Sequence, residues 1–389
     1  MSKNYNPLNV SSMSTDMAKV SVVKCDDYHK VKAGIKKSLE LLGGINKFFK
    51  KGKKVLLKPN ISDPLPPEKA VDTHPLFVKA VIEIAQKAGA TVSVGECSAG
   101  GGPGITAKCL LESGIGDMLS EKSMDFKNFQ EERFIPQNIP NFKILEKTDF
   151  AEAVFQADML VNLPKLKTHG LTFMTGSIKN CFGCIHPSER KYLHGNFSNR
   201  KDFSQGLVDI YSLLKPGLTI MDAVICMEGD QGPSFGNPKK VGVIIASEDG
   251  VAVDAVAAAI IGYNPLAIPM IKAAHERGIG VGDMREIKLV GEKLEEVIVE
   301  DFKKHPLFDN KYRKMRGFGD SFVMVPKLDP SKCIKCSSCV NNCPVSAIRM
   351  SPYPVIDRKK CIMCYCCHEL CPQGAYELKI EWLRGKHHK

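Results

Sequence analysis

Apolar residues follow two different periods along the first part of the chain. Short, almost entirely apolar runs end in polar, Gly or Pro residues at 55–57, 91–94, 159–161, 218–221, 241–246 and 287–290. Segments with a helical period lie between them, at 31–42, 75–88, 203–214, 251–261 and 269–277. Strands that are apolar on both sides and alternate with helices indicate an α/β fold, in which helices cover both faces of a mainly parallel sheet.

Polar residues directly follow several of the predicted strands. Lys58 and Asn60 come after the first apolar run, and Asp222 comes after the fourth. In open parallel sheets, ligands bind beyond the carboxyl ends of the strands. We therefore take Lys58, Asn60 and Asp222 as candidate residues for binding a ligand or cofactor.

The densest group of polar residues follows the third predicted strand. It contains Lys165, Lys167, His169, Lys179 and Asn180. Lysines at a strand end suit an anionic substrate, and a histidine that a neighbouring cation keeps neutral suits proton transfer. We predict Lys165, His169 and Lys179 as catalytic residues and Asn180 as a further binding residue. The alternative is a solvated basic loop, which is the expectation for Lys167 taken alone.

A glycine-rich segment at 95–104 follows another predicted strand. Glycines there would let backbone N–H groups approach an anion, and the alternative is a flexible surface turn. The segment is neither a Walker loop nor a Gly-x-Gly-x-x-Gly motif. The chain shows no flavin or nicotinamide fingerprint, and a bound flavin or other small cofactor stays open.

Two acidic residues lie near the apolar helical segment at 251–261. Asp249 precedes it and is expected to cap the helix, because an N-cap carboxylate accepts the first free backbone N–H groups. Asp254 lies inside the apolar run itself. A buried charge is costly without a partner, so we expect Asp254 to be either a charge in the cap region of this helix or a buried ligand.

The C-terminal part of the chain contains a short internal repeat of cysteines. The run Cys333-Ile-Lys-Cys-Ser-Ser-Cys-Val-Asn-Asn-Cys-Pro344 recurs as Cys361-Ile-Met-Cys-Tyr-Cys-Cys-His-Glu-Leu-Cys-Pro372. Three cysteines at this spacing suit one face of an iron–sulfur cubane, and the fourth, before proline, completes the other cluster. The spacing assigns one [4Fe-4S] cluster to Cys333, Cys336, Cys339 and Cys371, and a second to Cys361, Cys364, Cys367 and Cys343. A pair of zinc sites is the alternative, although zinc usually binds two-cysteine knuckles across a longer loop.

The chain has 15 cysteines, so several lie outside these two sets. Cys366 lies within the second run and is expected to be a bystander that could replace a lost ligand. Cys181 and Cys184, with His186 nearby, offer two or three ligands for a further metal, and two cysteines alone are too few. The others, Cys25, Cys97, Cys109 and Cys226, are expected to be small buried hydrophobic residues.

The formal net charge of +11 invites a nucleic-acid hypothesis. About half of the excess lies in residues 327–389, beside the cysteine repeat, and the chain has no Lys/Arg run interleaved with aromatic residues. We therefore expect no nucleic-acid binding. A basic face that meets an acidic redox partner protein is an alternative use of the charge, next to an ordinary solvated surface.

The domain organisation follows from these patterns. We predict a loose tail at 1–18, an α/β domain at 19–326 and a two-cluster domain at 327–389, with an irregular connection at 300–322. No apolar stretch is long enough to cross a bilayer, and the tail lacks the pattern of a signal peptide. The sequence thus predicts a cytoplasmic protein without membrane contact.

Two family resemblances add to this picture. Residues 327–378 resemble the bacterial-type two-cluster ferredoxin domain, which implies a small α+β fold with two neighbouring clusters for electron transfer. Residues 20–300 resemble the family catalogued as domain of unknown function 362. The motifs that carry this second resemblance are Lys58-Pro-Asn60, the glycine-rich segment, Pro164-Lys-x-Lys-x-His169, Lys179-Asn-x-Phe-Gly183, Met221-Asp222 and residues 249–254. A more distant likeness to the lactate-racemase N-terminal domain implies an α/β architecture with a ligand cleft.

These patterns support three hypotheses about function. The first is a cytoplasmic iron–sulfur oxidoreductase, whose clusters relay electrons to a small anionic ligand in the α/β domain. The second is a ferredoxin-like electron carrier or scaffold that docks a partner redox enzyme and has no chemistry of its own. The third is an anion- or RNA-binding protein with structural clusters. The substrate, the direction of electron flow, the cluster potentials and the oligomeric state do not follow from the sequence.

Overall fold

The computed structural model describes residues 17–99, 102–308 and 321–383. Apart from its last two residues, the predicted tail at 1–18 lies outside this description. The strands are β1 (Ala18–Lys24), β2 (Lys54–Pro59), β3 (Thr91–Glu96), β4 (Phe126–Asn128), β5 (Phe134–Asn138), β6 (Lys147–Ala151), β7 (Met159–Leu163), β8 (Lys165–His169), β9 (Phe173–Thr175), β10 (Leu218–Glu228), β11 (Asn237–Ser247), β12 (Ile287–Gly291), β13 (Ser321–Leu328), β14 (Ile348–Met350), β15 (Pro354–Ile356) and β16 (Tyr376–Leu383).

All five helical segments that the sequence predicts are helices in the structure, and the described ranges contain eight further, mostly short ones. In chain order, the helices are α1 (Val31–Leu41), α2 (Ile45–Phe48), α3 (Pro75–Lys87), α4 (Ile105–Glu112), α5 (Ile115–Glu121), α6 (Ala153–Gln156), α7 (Ser177–Asn180), α8 (Pro187–Asn196), α9 (Arg200–Leu214), α10 (Gly250–Ile260), α11 (Pro269–Glu276), α12 (Ser338–Asn341) and α13 (Cys366–Glu369). Within the described ranges, no helix has the length and apolar character that a membrane span requires.

The main sheet has the strand order β12-β1-β11-β10-β7-β2-β3-β4. Neighbours from β10 to β4 run parallel, and so do β1 and β12, whereas β11 is antiparallel to both of its neighbours. The predicted mainly parallel sheet is therefore confirmed. Its parallel strands end at one edge, which brings the polar residues after β2, β3 and β7 together.

The two faces of the sheet carry separate apolar layers. Along β2, Val55 and Leu57 belong to the layer that contains α1 and α3, and Leu56 belongs to the layer that contains α9, α10 and α11. Successive side chains of a strand point to opposite faces, so a run of apolar residues is buried on both sides. Helices therefore cover both faces, as the sequence predicts.

The C-terminal domain is small and packs against the α/β domain. Strand β13 pairs antiparallel with β16 along its whole length, and β14 pairs with β15 in a short hairpin. This pairing places Ser321 opposite Leu383, the last described residue. Met324, Tyr365 and Leu378 from this domain are buried in the apolar layer of the α/β domain. The two domains thus share part of one core.

Candidate functional site

Strand β8 places three of the basic side chains together. The segment predicted to follow a strand is itself a strand, paired in parallel with β10 and antiparallel with β9. Because side chains alternate along a strand, Lys165, Lys167 and His169 share one side of it. Their exposed fractions are 1%, 2% and 1%. The segment is therefore not a solvated loop, and the expectation of an exposed Lys167 is wrong.

These side chains line a cavity of about 90 Å³ at the carboxyl ends of the strands. The predicted site residues that line it are Lys58, Asn60, Lys165, His169, Lys179 and Asn180. Further polar lining comes from Ser62, Asp63, Glu96, Arg190, Ser234 and Glu369. The remaining predicted residue, Asp222, is fully buried and contacts Lys165 rather than lining the cavity. Glu369 belongs to the C-terminal domain, so both domains form the cavity.

A buried ion pair joins the ends of β2 and β3. Lys58 Nζ lies 2.6 Å from Glu96 Oε2, and both side chains are almost wholly buried. Lys58 Nζ also donates to the Pro59 carbonyl at 3.2 Å and to Asn180 Oδ1 at 3.4 Å. Burial raises the pKa of Glu96, and the ammonium of Lys58 opposes this shift. A Cβ atom at Gly183 would clash with Glu96 Oε1, so a side chain there would displace the ion pair.

A second buried pair neutralises Lys165. Its Nζ lies 2.9 Å from Asp222 Oδ2 and donates to the Tyr28 hydroxyl at 2.8 Å. Tyr28 in turn donates to the carboxylate of Asp222 at 3.0 Å and stacks on the His74 ring with a centroid distance of 3.6 Å. Lys165 therefore brings little net charge to the cavity. Its contacts suit positioning better than proton transfer.

Lys167 and Asp72 are linked through Ser62. Lys167 Nζ donates to Ser62 Oγ at 3.1 Å, and the N–H and hydroxyl of Ser62 donate to Asp72 Oδ1 at 2.6 and 3.1 Å. Burial lowers the pKa of Lys167 to about 8, while the charges of Asp72 and Asp63 oppose the shift. Burial also raises the pKa of Asp72 to about 7. Burial thus shifts the pKa values of the ammonium and the carboxyl group toward each other, which suits the movement of a proton along this linked pair.

His169 presents a proton to the cavity. Its Nδ1 accepts the backbone N–H groups of Leu171 at 3.0 Å and Thr172 at 3.4 Å, so the neutral ring carries its proton on Nε2. Nε2 lies 3.5 Å from Glu369 Oε1, and neither atom has a hydrogen-bond partner among the residues that the structure describes. Burial lowers the pKa of His169 well below its usual range, and Lys179 adds to the shift. The predicted cation effect is present, and burial is the larger cause.

Lys179 and Arg190 give the cavity a net positive side. Within the described part of the chain, Lys179 forms no ion pair, and its ammonium lies 5.1 Å from the centroid of the Phe182 ring. Burial lowers the pKa of Lys179, and the nearby carboxyl group of Glu369 opposes the shift. Arg190 donates to the carbonyl oxygen of Cys97 at 3.0 Å and to its Sγ at 2.8 Å. These neutral partners hold the guanidinium group without cancelling its charge.

Asp254 anchors the short helix α7, which carries Lys179 and Asn180. Its carboxylate accepts the N–H of Ser177 at 2.5 Å and the N–H of Ile178 at 3.0 Å. These bonds supply the partner that a charge inside an apolar run requires. Asp249 caps α10 by accepting two of its backbone N–H groups. The acidic pair therefore positions helices and does not line the cavity.

Replacement of Asp254 by asparagine tests this anchoring through its pH dependence. Burial raises the pKa of Asp254 to about 7, whereas the pKa of an Asp in the unfolded chain is about 4. Between these values the unfolded state releases a proton that the folded state keeps, so the free energy of unfolding falls as pH rises. Asp254→Asn removes this contribution. Urea unfolding at several pH values should show the variant gaining stability relative to wild type from pH 4 to pH 7, and a constant difference would contradict the assignment.

The glycine-rich segment is only partly described, because residues 100 and 101 lie outside the described ranges. Its first residues, Gly95 and Glu96, end strand β3, and Cys97 and Ala99 line the cavity. Anion binding by the backbone of this segment stays a prediction.

The repeat cysteines gather into two groups. One small cavity is lined by Cys333, Cys336, Cys339 and Cys371, and another is lined by Cys343, Cys361, Cys364, Cys366 and Cys367. Among the described residues, three potential ligand atoms lie within 4.8 Å of one another only at His275, Asp283 and Glu286. Sulfurs around a single zinc ion would be about 3.8 Å apart. Each cysteine group is therefore wider than a single-ion site and suits a multi-iron cluster.

Backbone N–H groups contact the two cysteines that cross between the runs. The N–H of Ala347 donates to Cys343 Sγ at 3.1 Å, and the N–H of Ala375 donates to Cys371 Sγ at 3.3 Å. Such bonds stabilise thiolate charge and are one means of tuning a cluster's reduction potential. The same contact occurs in both halves of the repeat, as expected from their matching sequences.

Cys181 and Cys184 lie in a buried 3₁₀ turn after α7. Burial raises the pKa of both thiols, that of Cys184 to about 12. His186 makes its own hydrogen bond to Ser188. Within the described ranges, no third ligand atom completes a compact metal site with these cysteines.

Several site residues escaped the sequence analysis. Glu96 ends a strand and could have been found by the same strand-end rule as Lys58. Asp72 and Tyr28 lie in connecting segments that carry no local signal. Glu369 lies between two predicted cluster ligands, and nothing in the cysteine spacing indicates that it lines the cavity.

A protein-family model matches most of the α/β domain. Residues 55–259, more than half of the chain, match the family described as "Domain of unknown function (DUF362)". This chain belongs to the DUF362 family. Residues 332–375 of this DUF362 protein match a 4Fe-4S dicluster domain. It is therefore an iron–sulfur protein with a ferredoxin-like C-terminal domain.

Individual relatives of this DUF362 protein include a thylakoid-associated protein of Synechocystis sp. The two are 32% identical over 266 residues, which cover 67% of this chain and 79% of the relative. The lactate racemase apoprotein of Thermoanaerobacterium thermosaccharolyticum aligns with a TM-score of 0.38 and 13% identity, over 60% of this chain and 54% of its own. A protein of Thermotoga maritima aligns with a TM-score of 0.37 and 15% identity, over 59% and 57%. The DUF362 protein thus spans little more than half the length of these two solved structures.

Proposed function

We propose that this DUF362 protein is an iron–sulfur oxidoreductase that holds a small anionic substrate or cofactor beside two [4Fe-4S] clusters. The position of Glu369 carries the proposal. Its side chain lines the cavity 3.5 Å from His169. In the chain, it lies two residues from both Cys367 and Cys371. The wall of the cavity and the predicted cluster ligands therefore belong to one short segment.

The residues of the cavity match the needs of an anion that undergoes redox chemistry. Bound [4Fe-4S] clusters would supply or accept electrons one at a time. Lys179 and Arg190 provide positive charge, and neither forms an ion pair with a carboxylate of the described residues. His169 holds a proton on Nε2, and burial shifts the pKa values of the linked Lys167 and Asp72 toward each other, so protons can accompany the electrons.

The predicted catalytic residues divide into two roles under this proposal. His169 and Lys179 have side-chain atoms free to meet a ligand. Lys165 is bound to Asp222 and Tyr28, so its removal would leave a buried carboxylate without its cation. Loss of function in a Lys165 variant would therefore mix lost binding with lost stability. Lys179 is the better test.

Replacement of Lys179 by methionine is expected to abolish anion binding while the free energy of unfolding stays near that of wild type. The change removes a half-buried cation that has no ion-pair partner in the described structure, and it keeps a similar apolar stem. The probes are inorganic phosphate, sulfate and acetate in calorimetric titrations, together with native mass spectrometry of anaerobically purified protein. Lys288→Met, at an exposed position of β12, serves as the control.

Retained binding in Lys179→Met, or an equal loss in Lys288→Met, would count against the cavity as an anion site.

An overall check is anaerobic purification, followed by metal analysis and mass spectrometry of whatever small molecule stays bound. A bound anion that contacts neither Lys179 nor His169 would contradict the proposal.

The alternative function is that of an electron carrier or scaffold that docks a partner redox enzyme. The observation in its favour is the exposure of Cys336, which would allow electrons to leave the protein directly. Turnover of a small molecule by the reduced protein favours the oxidoreductase, and transfer only to other proteins favours the carrier. A cytoplasmic location is part of both proposals, and cell fractionation tests it.

A further inference from the structure

The first cysteine group lies at an exposed edge of the C-terminal domain. Cys336 is exposed, and the neighbouring Ile334 has 60% of its surface accessible. The cavity formed by this group shares no lining residue with the anion cavity. The second group, by contrast, shares its small cavity with Tyr365, whose ring packs against Gly170, directly after the cavity-lining His169. The two groups therefore face different surroundings, one solvent and one the anion cavity.

The β14–β15 hairpin extends this exposed edge. Pro354 of the hairpin lines the same small cavity as Ile334 and Cys336. Lys335 Nζ lies 4.5 Å from the centroid of the Tyr353 ring in the hairpin turn. In the hairpin, Arg349 is directly opposite Val355, and both side chains are exposed on one face. We call Ile334, Lys335, Cys336, Arg349 and Val355 the edge patch.

The edge patch combines apolar surface with positive charge that has no ion-pair partner. Ile334 and Val355, with exposed fractions of 60% and 41%, are large apolar residues that face solvent. Among the described residues, no carboxylate pairs with Lys335 or Arg349. Elsewhere, surface lysines such as Lys32 do pair with carboxylates. The patch therefore combines exposed apolar surface with positive charge that no described carboxylate neutralises.

We propose that the edge patch docks a small acidic protein that carries a one-electron redox centre. Apolar residues surrounded by charges are typical of protein interfaces, and complementary charge speeds the encounter of transient redox partners. The exposed Cys336 places a predicted cluster ligand at the contact itself. In the complex, the reduced carrier would lose one electron and the cluster held by the first cysteine group would gain it, with no bond formed or broken.

This inference goes beyond the function of the cavity, because it concerns how electrons enter the protein. It predicts the order of the two cluster sites along the electron path. The first cysteine group meets the carrier, and the second group lies toward the anion cavity. Docking and anion binding then depend on different residues. Lys179→Met should leave carrier binding unchanged, so that failure of one proposal can be told apart from failure of the other.

The test measures binding of the iron-loaded, full-length protein to a purified acidic two-cluster ferredoxin by biolayer interferometry at low ionic strength. We expect the double variant Lys335→Glu/Arg349→Glu to bind at least about tenfold more weakly, because two attractive charges become repulsive. Ile334→Ser should weaken binding by a smaller factor. The matched control, Lys288→Glu, reverses an exposed charge on β12 and should bind like wild type.

Iron content and the electron paramagnetic resonance spectrum of each variant show whether its clusters are intact. If the double variant loses iron, Ile334→Ser and the salt dependence of wild-type binding decide the question, since docking by opposite charges must weaken as salt is added. Binding that ignores salt would overturn the proposal. So would equal weakening by Lys288→Glu, or tighter binding of a basic carrier such as cytochrome c.

Discussion

Replacement of Lys58 by methionine is expected to lower the free energy of unfolding by about 3–5 kcal/mol, the usual cost of removing one partner from a buried ion pair. In the native protein, Lys58 Nζ lies 2.6 Å from the carboxyl group of Glu96. The variant leaves this carboxyl group buried without its cation. Burial already raises the pKa of Glu96 against the opposing charge of Lys58. Without that charge, the carboxyl group must take up a proton in order to remain buried.

The loss should therefore grow as pH rises. An unfolded Glu is ionised above about pH 4.3, and a folded state that keeps its proton is destabilised progressively from that pH up to the raised folded pKa. Urea unfolding at pH 5 and pH 8 measures this difference. Lys53→Met is the matched control, because Lys53 pairs with Asp158 at the surface, where such pairs contribute about 0–1 kcal/mol. A Lys58→Met variant that unfolds like Lys53→Met would show that the buried pair is not structural.

Replacement of Cys343 by serine is expected to disturb the second cluster, although Cys343 belongs to the first cysteine run. Its side chain lines the same small cavity as Cys361, Cys364 and Cys367. With two clusters bound, reconstituted wild-type protein should hold about eight irons, and loss of one cluster would leave about four. Metal analysis and electron paramagnetic resonance of the reduced protein measure both quantities.

Cys366→Ser is the matched control for this experiment. Cys366 lines the same cavity, but the four cysteines of the predicted set already suffice for one cluster. The control should keep its iron. A spectrum of Cys343→Ser in which only the first-run cluster is altered would refute the crossed assignment. Two zinc ions and no iron, in protein made with ample iron, would refute both clusters.

The architecture of the α/β domain could be predicted because its signals are local. A parallel strand buried on both faces must be apolar at successive positions, as at Val55, Leu56 and Leu57, and a helix that covers it must repeat its apolar residues with a helical period. Strands β2, β3, β7, β10, β11 and β12 therefore appear where the sequence places them, whereas β1, which lies between β12 and β11, was not predicted. The strand-end rule also found Lys58 and Asn180, because topology alone brings strand ends together.

Strand β8 marks where local signals were insufficient. The alternation of Lys165, Lys167 and His169 with Leu166 and Thr168 has the period of a strand, but charged residues normally indicate solvent. The segment is buried because carboxylates from distant parts of the chain neutralise or oppose its charges. Asp222 and Asp72 are two of them. No residue near β8 in the sequence indicates that these carboxylates will meet its lysines.

The fold class, the prediction of two cysteine sets and six of the residues that line the cavity follow from the sequence, because apolar periodicity and ligand spacing are properties of neighbouring residues. Which lysines are neutralised and which domain closes the cavity depend on contacts between distant parts of the chain. Lys165 meets Asp222, whereas Lys179 meets no carboxylate within the described ion pairs, and Glu369 lies beside His169 although the two residues are 200 positions apart in the chain (369 − 169). Such long-range pairs depend on how the domains pack, and packing is a property of the whole chain.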